Sequence, residues 1–362
     1  MEVALVHDFL TRLGGAERVL KILLEIFPKA SIYTLLYDEF KVGAVFPKEK
    51  IVTSSLERLP AFMRKNHKYL LPLMPRAVEQ WDFSKFDLVI SSNSAFTHGI
   101  LTPEKTRHLC YFHSPMRFAW DWTHEYIKEQ KIGFIKRAAS AALLKKIRMW
   151  DQAAADRPDC AIANSLNVQR RIKKYYRRDS TIIYPPVDIE RFKISKTAED
   201  YFLIISTLTP YKRIDLAIEL FNKIQRRLVI IGDGPQREYL ENIAGDTIDF
   251  LGIKDDTTVA EYLKNCRALI FPGEEDFGIT PVEAMACGKP VLAYEEGGVK
   301  ESVIAGVTGE FFAEPTVASM EDGLARLMKS TYLPTACRRQ AQKFSKEIFV
   351  EKMKEITSFR QA

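Results

Sequence analysis

The sequence predicts an α/β protein built from two doubly wound, mostly parallel sheets, and three observations carry that expectation. At 362 residues the chain is long enough for about two domains of ordinary size. Short apolar runs alternate with amphipathic helical stretches, once in each half of the chain. Between the halves, residues 184–199 read Y-P-P-V-D-I-E-R-F-K-I-S-K-T-A-E, where adjacent prolines remove backbone donors and a polar stretch follows.

In the first half, Val3–His7 reads as a buried strand. Gly15–Phe27 reads as a helix with Val19, Leu20, Leu23, Leu24 and Phe27 on one face. Ser31–Leu35, Leu88–Ser91, Arg107–Phe112 and Cys160–Ala163 read as further strands, with a helix at Ile135–Ala155. After the break the cycle restarts with strand Tyr201–Ser206, helix Ile214–Ile224, strand Arg227–Ile231 and helix Gln236–Ala244. Strands at Ile248–Leu251, Ala268–Phe271 and Pro290–Ala293 follow, and a helix at Lys346–Ser358 closes the pattern. In sheets of this class, ligands bind outside the carboxyl ends of the strands.

Composition narrows the class. A hydrophobic content of 46% and a charged content of 28% are those of a soluble globular protein. The five cysteines are scattered without metal-ligand or redox spacing, which predicts a reducing cytosol. The first residues lack the pattern of a signal peptide, and no apolar stretch approaches a membrane span, so an integral membrane protein is not expected. Residues 1–188 carry 30 Lys and Arg against 20 Asp and Glu, whereas residues 189–362 carry 23 against 27. A basic first half suits an anionic partner such as a lipid surface, and solubility alone explains it equally. Two basic-apolar stretches, Leu59–Pro75 and Ile132–Ile147, read either as interfacial helices or as core helices with a solvated side.

The most informative segment is Phe271–Pro290, a buried strand leading through a glycine-containing loop into a helix. Thr280 is read as the N-cap, Pro281 as the first helical residue and Glu283 as the third. Such a helix start offers amides and a positive dipole end to a diphosphate. Glu275 and Glu283 are then placed to accept hydrogen bonds from sugar hydroxyls. The same letters, T-P-V-E, also spell a capping box, and Glu275 also reads as a solvated loop carboxylate. Lys212 follows a strand and a Thr-Pro turn, where a cation meets charge developing on a leaving group. Gly14 and Gly15 lie between the first strand and first helix, where glycine permits close backbone approach to a phosphate or sugar. His113 emerges at a strand's carboxyl end, and His7, with Asp8, and His98 are candidate residues at the edge of a site.

The E-D-F-G-I-T-P-V-E segment resembles the E-x7-E signature of retaining glycosyltransferase family 4, whose members have the GT-B fold. The likeness is nearest to bacterial mannosyltransferases of O-antigen and capsule assembly. Further landmarks of that family occur in order: G-G-A-E at Gly14–Glu17, Y-F-H-S-P at Tyr111–Pro115, P-P-V-D at Pro185–Asp188, P-Y-K-R-I-D at Pro210–Asp215, G-D-G-P at Gly232–Pro235 and E-G-G-V-K-E at Glu296–Glu301. The resemblance implies two Rossmann-like domains facing across a cleft: residues 1–186 on the acceptor side, 187–345 on the donor side, and a helix over 346–362 crossing back to the first domain.

It also implies chemistry. Glu275 holds hexose hydroxyls and helps polarise the donor, Glu283 holds the ribose, and Lys212 with Arg213 meets the diphosphate. The amides of Asp276, Phe277, Gly278, Ile279 and Thr280 lie beside the sugar and diphosphate. His113 contacts the hexose, and the loop of Gly252, Ile253 and Lys254 reads the base. An arginine that similar enzymes carry five residues before the lysine is here Thr207. The implied reaction moves a hexose, mannose from GDP-mannose first and a UDP-hexose second, to a glycan or lipid-linked acceptor, with retention and without metal or other cofactor. The expected site of action is the cytoplasm, with peripheral membrane contact and no nucleic-acid partner. An epimerase or hydrolase of the same fold, needing no acceptor, is the alternative enzyme. A basic binding protein for nucleic acid or anionic lipid is the non-enzymatic one, and it lacks a supporting motif.

Overall fold

The computed structural model describes residues 1–65, 69–121, 134–195 and 198–358. The chain divides into two compact units, Met1–Tyr184 with Met353–Ala362, and Pro185–Lys352.

The first unit is a seven-stranded, all-parallel sheet: β1 (Val3–Leu10), β2 (Ser31–Tyr37), β3 (Ile51–Thr53), β4 (Leu88–Asn93), β5 (Arg107–Phe112), β6 (Cys160–Ala163) and β7 (Thr181–Ile182). Their spatial order is β3-β2-β1-β4-β5-β6-β7, so the winding reverses between β1 and β4. Alternate residues serve opposite faces, as the period of a strand requires. Ala4, Val6 and Val89 enter a core with Leu70, Met74 and Val78. The helix Gly15–Ile26 supplies Val19, Leu20 and Leu23, all fully buried and outside that cluster. The predicted strands are all present, and β1 and β2 run three and two residues further than expected, through Asp8-Phe9-Leu10 and Leu36-Tyr37. Asp8, a poor strand former, is carried along because the neighbouring strands supply the ladder and strand-favouring Phe9 and apolar Leu10 follow it.

The second unit holds six parallel strands: β8 (Phe202–Ile205), β9 (Leu228–Ile231), β10 (Ile248–Gly252), β11 (Ala268–Phe271), β12 (Val291–Tyr294) and β13 (Gly309–Phe312). Their order is β10-β9-β8-β11-β12-β13, with the reversal between β8 and β11. One face buries Phe202, Ile204, Leu228 and Ile230 against the helices Ile214–Ile224 and Val317–Lys329. The helix Ile279–Ala286 lies against β11 and the helix Pro334–Gln342. The sheet is therefore covered on both faces, as an all-parallel sheet must be.

Among the described residues no helix is long and apolar enough to cross a membrane. Of the two basic-apolar stretches, residues 66–68 and 132–133 lie outside the described residues; Phe62 and Tyr69, flanking the first gap, are exposed.

Candidate active site

In the second unit the reversal point is built from the loops after β8 and β11, and these carry Lys212 and Glu275. The segment after β8 passes through a single turn, Pro210–Lys212, and leaves it at Arg213 with a φ of 50°. The segment after β11 passes Gly273, where a Cβ would stand 2.6 Å from the Lys212 Cα. Only glycine lets the two loops lie that close. As a result Lys212 Nζ and Glu275 Oε1 form an ion pair, with the two side chains 12% and 28% exposed. The ammonium also lies 4.9 Å from the centre of the Tyr211 ring. Glu275 is held from behind, since its carbonyl accepts the Gly298 amide at 2.9 Å and it bridges Gly297. The E-G-G-V-K-E motif is thus a brace for the acidic loop.

The helix that follows starts earlier than its letters indicate. Its N-cap is Gly278, with φ 84° and ψ 87°, and its first residue is Ile279. Thr280 is therefore the second helical residue rather than the cap, Pro281 the third rather than the first, and Glu283 the fifth, so the T-P-V-E capping box does not form. The cause is backbone geometry: Gly278 accepts a left-handed conformation that side chains resist, and this turns the chain into the helix two residues sooner. Ile279 and Thr280 consequently contribute first-turn amides with no acceptor inside the helix, and Pro281 has none to contribute. Glu283 is 4% exposed. Phe277 packs its ring 5.4 Å from that of Phe344, so what it offers a ligand is backbone. Arg213 pairs with Asp215 at 3.4 Å, Thr207 is exposed, and Lys300 is exposed in the helix Val299–Ser302. At the end of β10, Gly252 is buried with φ 70°, whereas Ile253 and Lys254 are exposed.

In the first unit the strand ends hold a line of polar groups that sequence reasoning mostly missed. His7 and Ser92 are register partners on β1 and β4 and share a face; Ser92 is in turn paired with Tyr111 on β5. His113, two residues past Tyr111, returns to that face. His7 Nδ1 lies 3.1 Å from Ser92 Oγ, and Ser92 Oγ lies 2.8 Å from His113 Nε2. On the other side, His7 Nε2 lies 3.5 Å from Glu17 Oε1. Glu17 comes from the first turn of the helix Gly15–Ile26, and its Oε2 accepts the Gly14 amide at 2.8 Å. The Gly14 amide is therefore committed to Glu17, while Gly15 is exposed.

Burial works to raise the Glu17 carboxyl, but the hydrogen bond of His7, the charge that ring carries when protonated, a backbone amide and Arg12 together outweigh it and hold Glu17 below its ordinary value. Burial, and then the charge His7 carries when protonated, push His113 down to about 3, so it is a neutral ring at any working pH. Ser92 could have been suspected only from knowing that β1, β4 and β5 are neighbours, because 85 residues separate it from His7, whereas Glu17 lay in the G-G-A-E motif.

Two other candidates are structural. Asp8 is 1% exposed and accepts the amides of Ser94, Ala95, Phe96 and Thr97 at 2.6–3.1 Å. It organises the turn after β4 and has no surface to offer an acceptor. His98 is fully buried between Asn93 and Asp151, 3.2 Å from Asn93 Oδ1 and 3.3 Å from Asp151 Oδ1, and burial pushes it down to about 4. It is a satisfied core histidine, not a residue at the edge of a site. No group of three or more potential ligands for a metal ion occurs among the described residues.

Comparison with known proteins agrees with this architecture. The family model described as Glycosyltransferase Family 4 matches residues 13–191, and that described as Glycosyl transferases group 1 matches residues 187–344. An uncharacterised glycosyltransferase of Methanocaldococcus jannaschii is 27% identical over 222 residues, covering 59% of this chain and 63% of that protein. Human alpha-1,3/1,6-mannosyltransferase ALG2 is 25% identical over 238 residues, covering 54% of this chain and 57% of ALG2. The matched regions thus span about 60% of these relatives' own lengths. Among solved structures, HepE of Anabaena, determined with UDP and glucose, shares the fold at a TM-score of 0.70 and 17% identity, over 99% of this chain and all of that one.

Proposed function

We propose, from the premise that the chain belongs to glycosyltransferase family 4, that it transfers a hexosyl group from a nucleoside diphosphate sugar with retained anomeric configuration. The observation that supports this most is the Lys212–Glu275 pair at the reversal point of the second sheet, beside a helix entered through Gly278.

In this reading Lys212 moves from Glu275 to the diphosphate, with Arg213 and the amides of Ile279 and Thr280 adding positive potential. Glu275 accepts hydrogen bonds from hexose hydroxyls, the backbone of Asp276–Gly278 lines the sugar, and Glu283 reaches the ribose. The exposed loop at Gly252, Ile253 and Lys254 meets the base, largely through backbone. His113 supplies a hydrogen bond to the hexose. The bond from the anomeric carbon to the β-phosphate oxygen breaks while the acceptor oxygen attacks from the same face. The acceptor's proton passes to the departing phosphate oxygen, so no enzymic nucleophile is required.

The first candidate donor is GDP-mannose, supported by the mannosyltransferase among the relatives. A UDP-hexose is the second, as the ligand class named for HepE. The acceptor is proposed to be a glycan or lipid-linked glycan met at the cytoplasmic face of a membrane, where a basic first half favours an anionic surface. Calorimetric titration with GDP, UDP and their hexose conjugates tests the reading. Binding of one sugar nucleotide, abolished in Lys212→Ala, is the expected result; no binding of any of them refutes it.

A further inference from the structure

We propose that Glu17, His7 and Ser92 form a directional hydrogen-bond relay that fixes the tautomer of His113, leaving its Nδ1 as an acceptor for a substrate hydroxyl. The role for that nitrogen rests on the reading that His113 meets the transferred hexose; the relay itself does not.

The direction follows from counting protons. Ionised Glu17 only accepts, and its Oε1 faces His7 Nε2, so the His7 proton sits on Nε2. When His7 is neutral its Nδ1 is then bare, and this nitrogen lies 3.1 Å from Ser92 Oγ. Ser92 must therefore donate to His7. A hydroxyl has one hydrogen, so toward His113 Nε2 at 2.8 Å the same oxygen can only accept. His113 then carries its proton on Nε2 and leaves Nδ1 bare. Among the described residues that Nδ1 has no hydrogen-bond partner, and it is not among the buried orphan atoms, so it is open to a ligand.

A second proton on His7 reverses every bond. Nδ1–H would donate to Ser92, Ser92 would donate to His113 Nε2, and His113 would carry its proton on Nδ1. The titratable and charged groups around His7 are Glu17 on its helix, Asp8 beside it on β1, His113 after β5, and Arg12 acting on Glu17. Because burial keeps His113 from taking a second proton, the reversal changes which nitrogen donates, not the ring's charge. Glu17, His7 and Ser92 are thus positioning residues, acting on substrate through His113.

Nitrogen NMR of the full-length protein, with labelled histidine at pH 8, reads the tautomer directly, with His113 assigned by the signal lost in His113→Asn. The wild type is expected to show a protonated Nε2 and a bare Nδ1. Ser92→Ala is expected to lower that preference about tenfold, roughly the share of one hydrogen bond, and to reduce turnover of the sugar nucleotide. Affinity for GDP, which carries no hexose, should not change. If Ser92→Ala fails to fold, Glu17→Gln serves, because its carbonyl oxygen still accepts the Gly14 amide while its NH2 can only donate to His7 Nε2, which reverses the preference. A wild-type His113 protonated on Nδ1, or an unchanged preference in these variants, overturns the relay. Failure to bind any sugar nucleotide, with the expected tautomer present, sinks the transfer reading and leaves the relay standing.

Discussion

Replacing Glu275 with glutamine separates two effects that act in opposite directions. In the free protein the Glu275 carboxylate neutralises Lys212, and the pair is neither buried nor fully exposed, at 28% and 12% side-chain exposure. A pair of this kind contributes about 1 kcal/mol. A nucleoside diphosphate that recruits Lys212 must first compete with that carboxylate. Glutamine keeps the shape and removes the competition, so GDP should bind Glu275→Gln about fivefold more tightly, the ratio that ~1 kcal/mol converts to. Turnover should move the other way. A neutral amide accepts hexose hydroxyls more weakly as positive charge develops on the sugar, and loss of one such preorganised partner costs about 2.7–4 kcal/mol, or 10²–10³ in rate. Calorimetry with GDP measures the first effect, and release of nucleoside diphosphate from the sugar nucleotide measures the second. GDP binding that weakens in Glu275→Gln, or turnover within a fewfold of wild type, refutes the reasoning.

Other expectations concern the scaffold. Gly273→Ala places a Cβ 2.6 Å from the Lys212 Cα and 2.8 Å from the Tyr211 carbonyl oxygen. The loops must part, so diphosphate affinity should fall at least tenfold and thermal unfolding should shift down by the equivalent of about 1–3 kcal/mol. The buried histidines His98 and His108 and the partly buried His113 are pushed from 6.5 to about 4, 3 and 3, so in the unfolded chain they bind protons that the fold refuses. Stability from them is present above pH 6.5 and is lost as pH falls toward 4. Asp151, raised to about 7 mainly by burial, acts in the opposite sense between 7 and 3.8, and Asp8 is raised too. The three histidines outnumber the two carboxyls, so denaturant melts should show a net loss of stability as pH falls from about 6 to about 4.5. A flat profile there would contradict the burial argument. Chelators should leave turnover unchanged, and restoration of a lost activity by added divalent metal would contradict a site built on Lys212 and helix amides.

The parallel sheets were readable because buried parallel strands are short apolar runs, as at Leu228–Ile231 and Ala268–Phe271. Short edge strands such as Thr181–Ile182 and Ile51–Thr53 carry no such pattern and were not legible. In the site, Lys212 and Glu275 stood out through their motifs, but their ion pair depends on the close approach at Gly273, which letters do not announce. The helix start at Gly278 was hidden by a better-looking cap, Thr280, because cap preferences describe side chains and the deciding term was a backbone angle. His98 looked like His113 in sequence; what separates them is that one is closed in by Asn93, Asp151 and Trp150 while the other keeps an open ring nitrogen.

The central claim is that a pyrophosphoryl sugar sits at the reversal point of the second sheet. A crystal structure of the protein with its sugar nucleotide measures that most directly. The account predicts the diphosphate within hydrogen-bond reach of Lys212 Nζ and the Ile279 and Thr280 amides, with Glu275 turned from the lysine to the hexose. A ligand bound elsewhere, with the Lys212–Glu275 pair undisturbed, would contradict it.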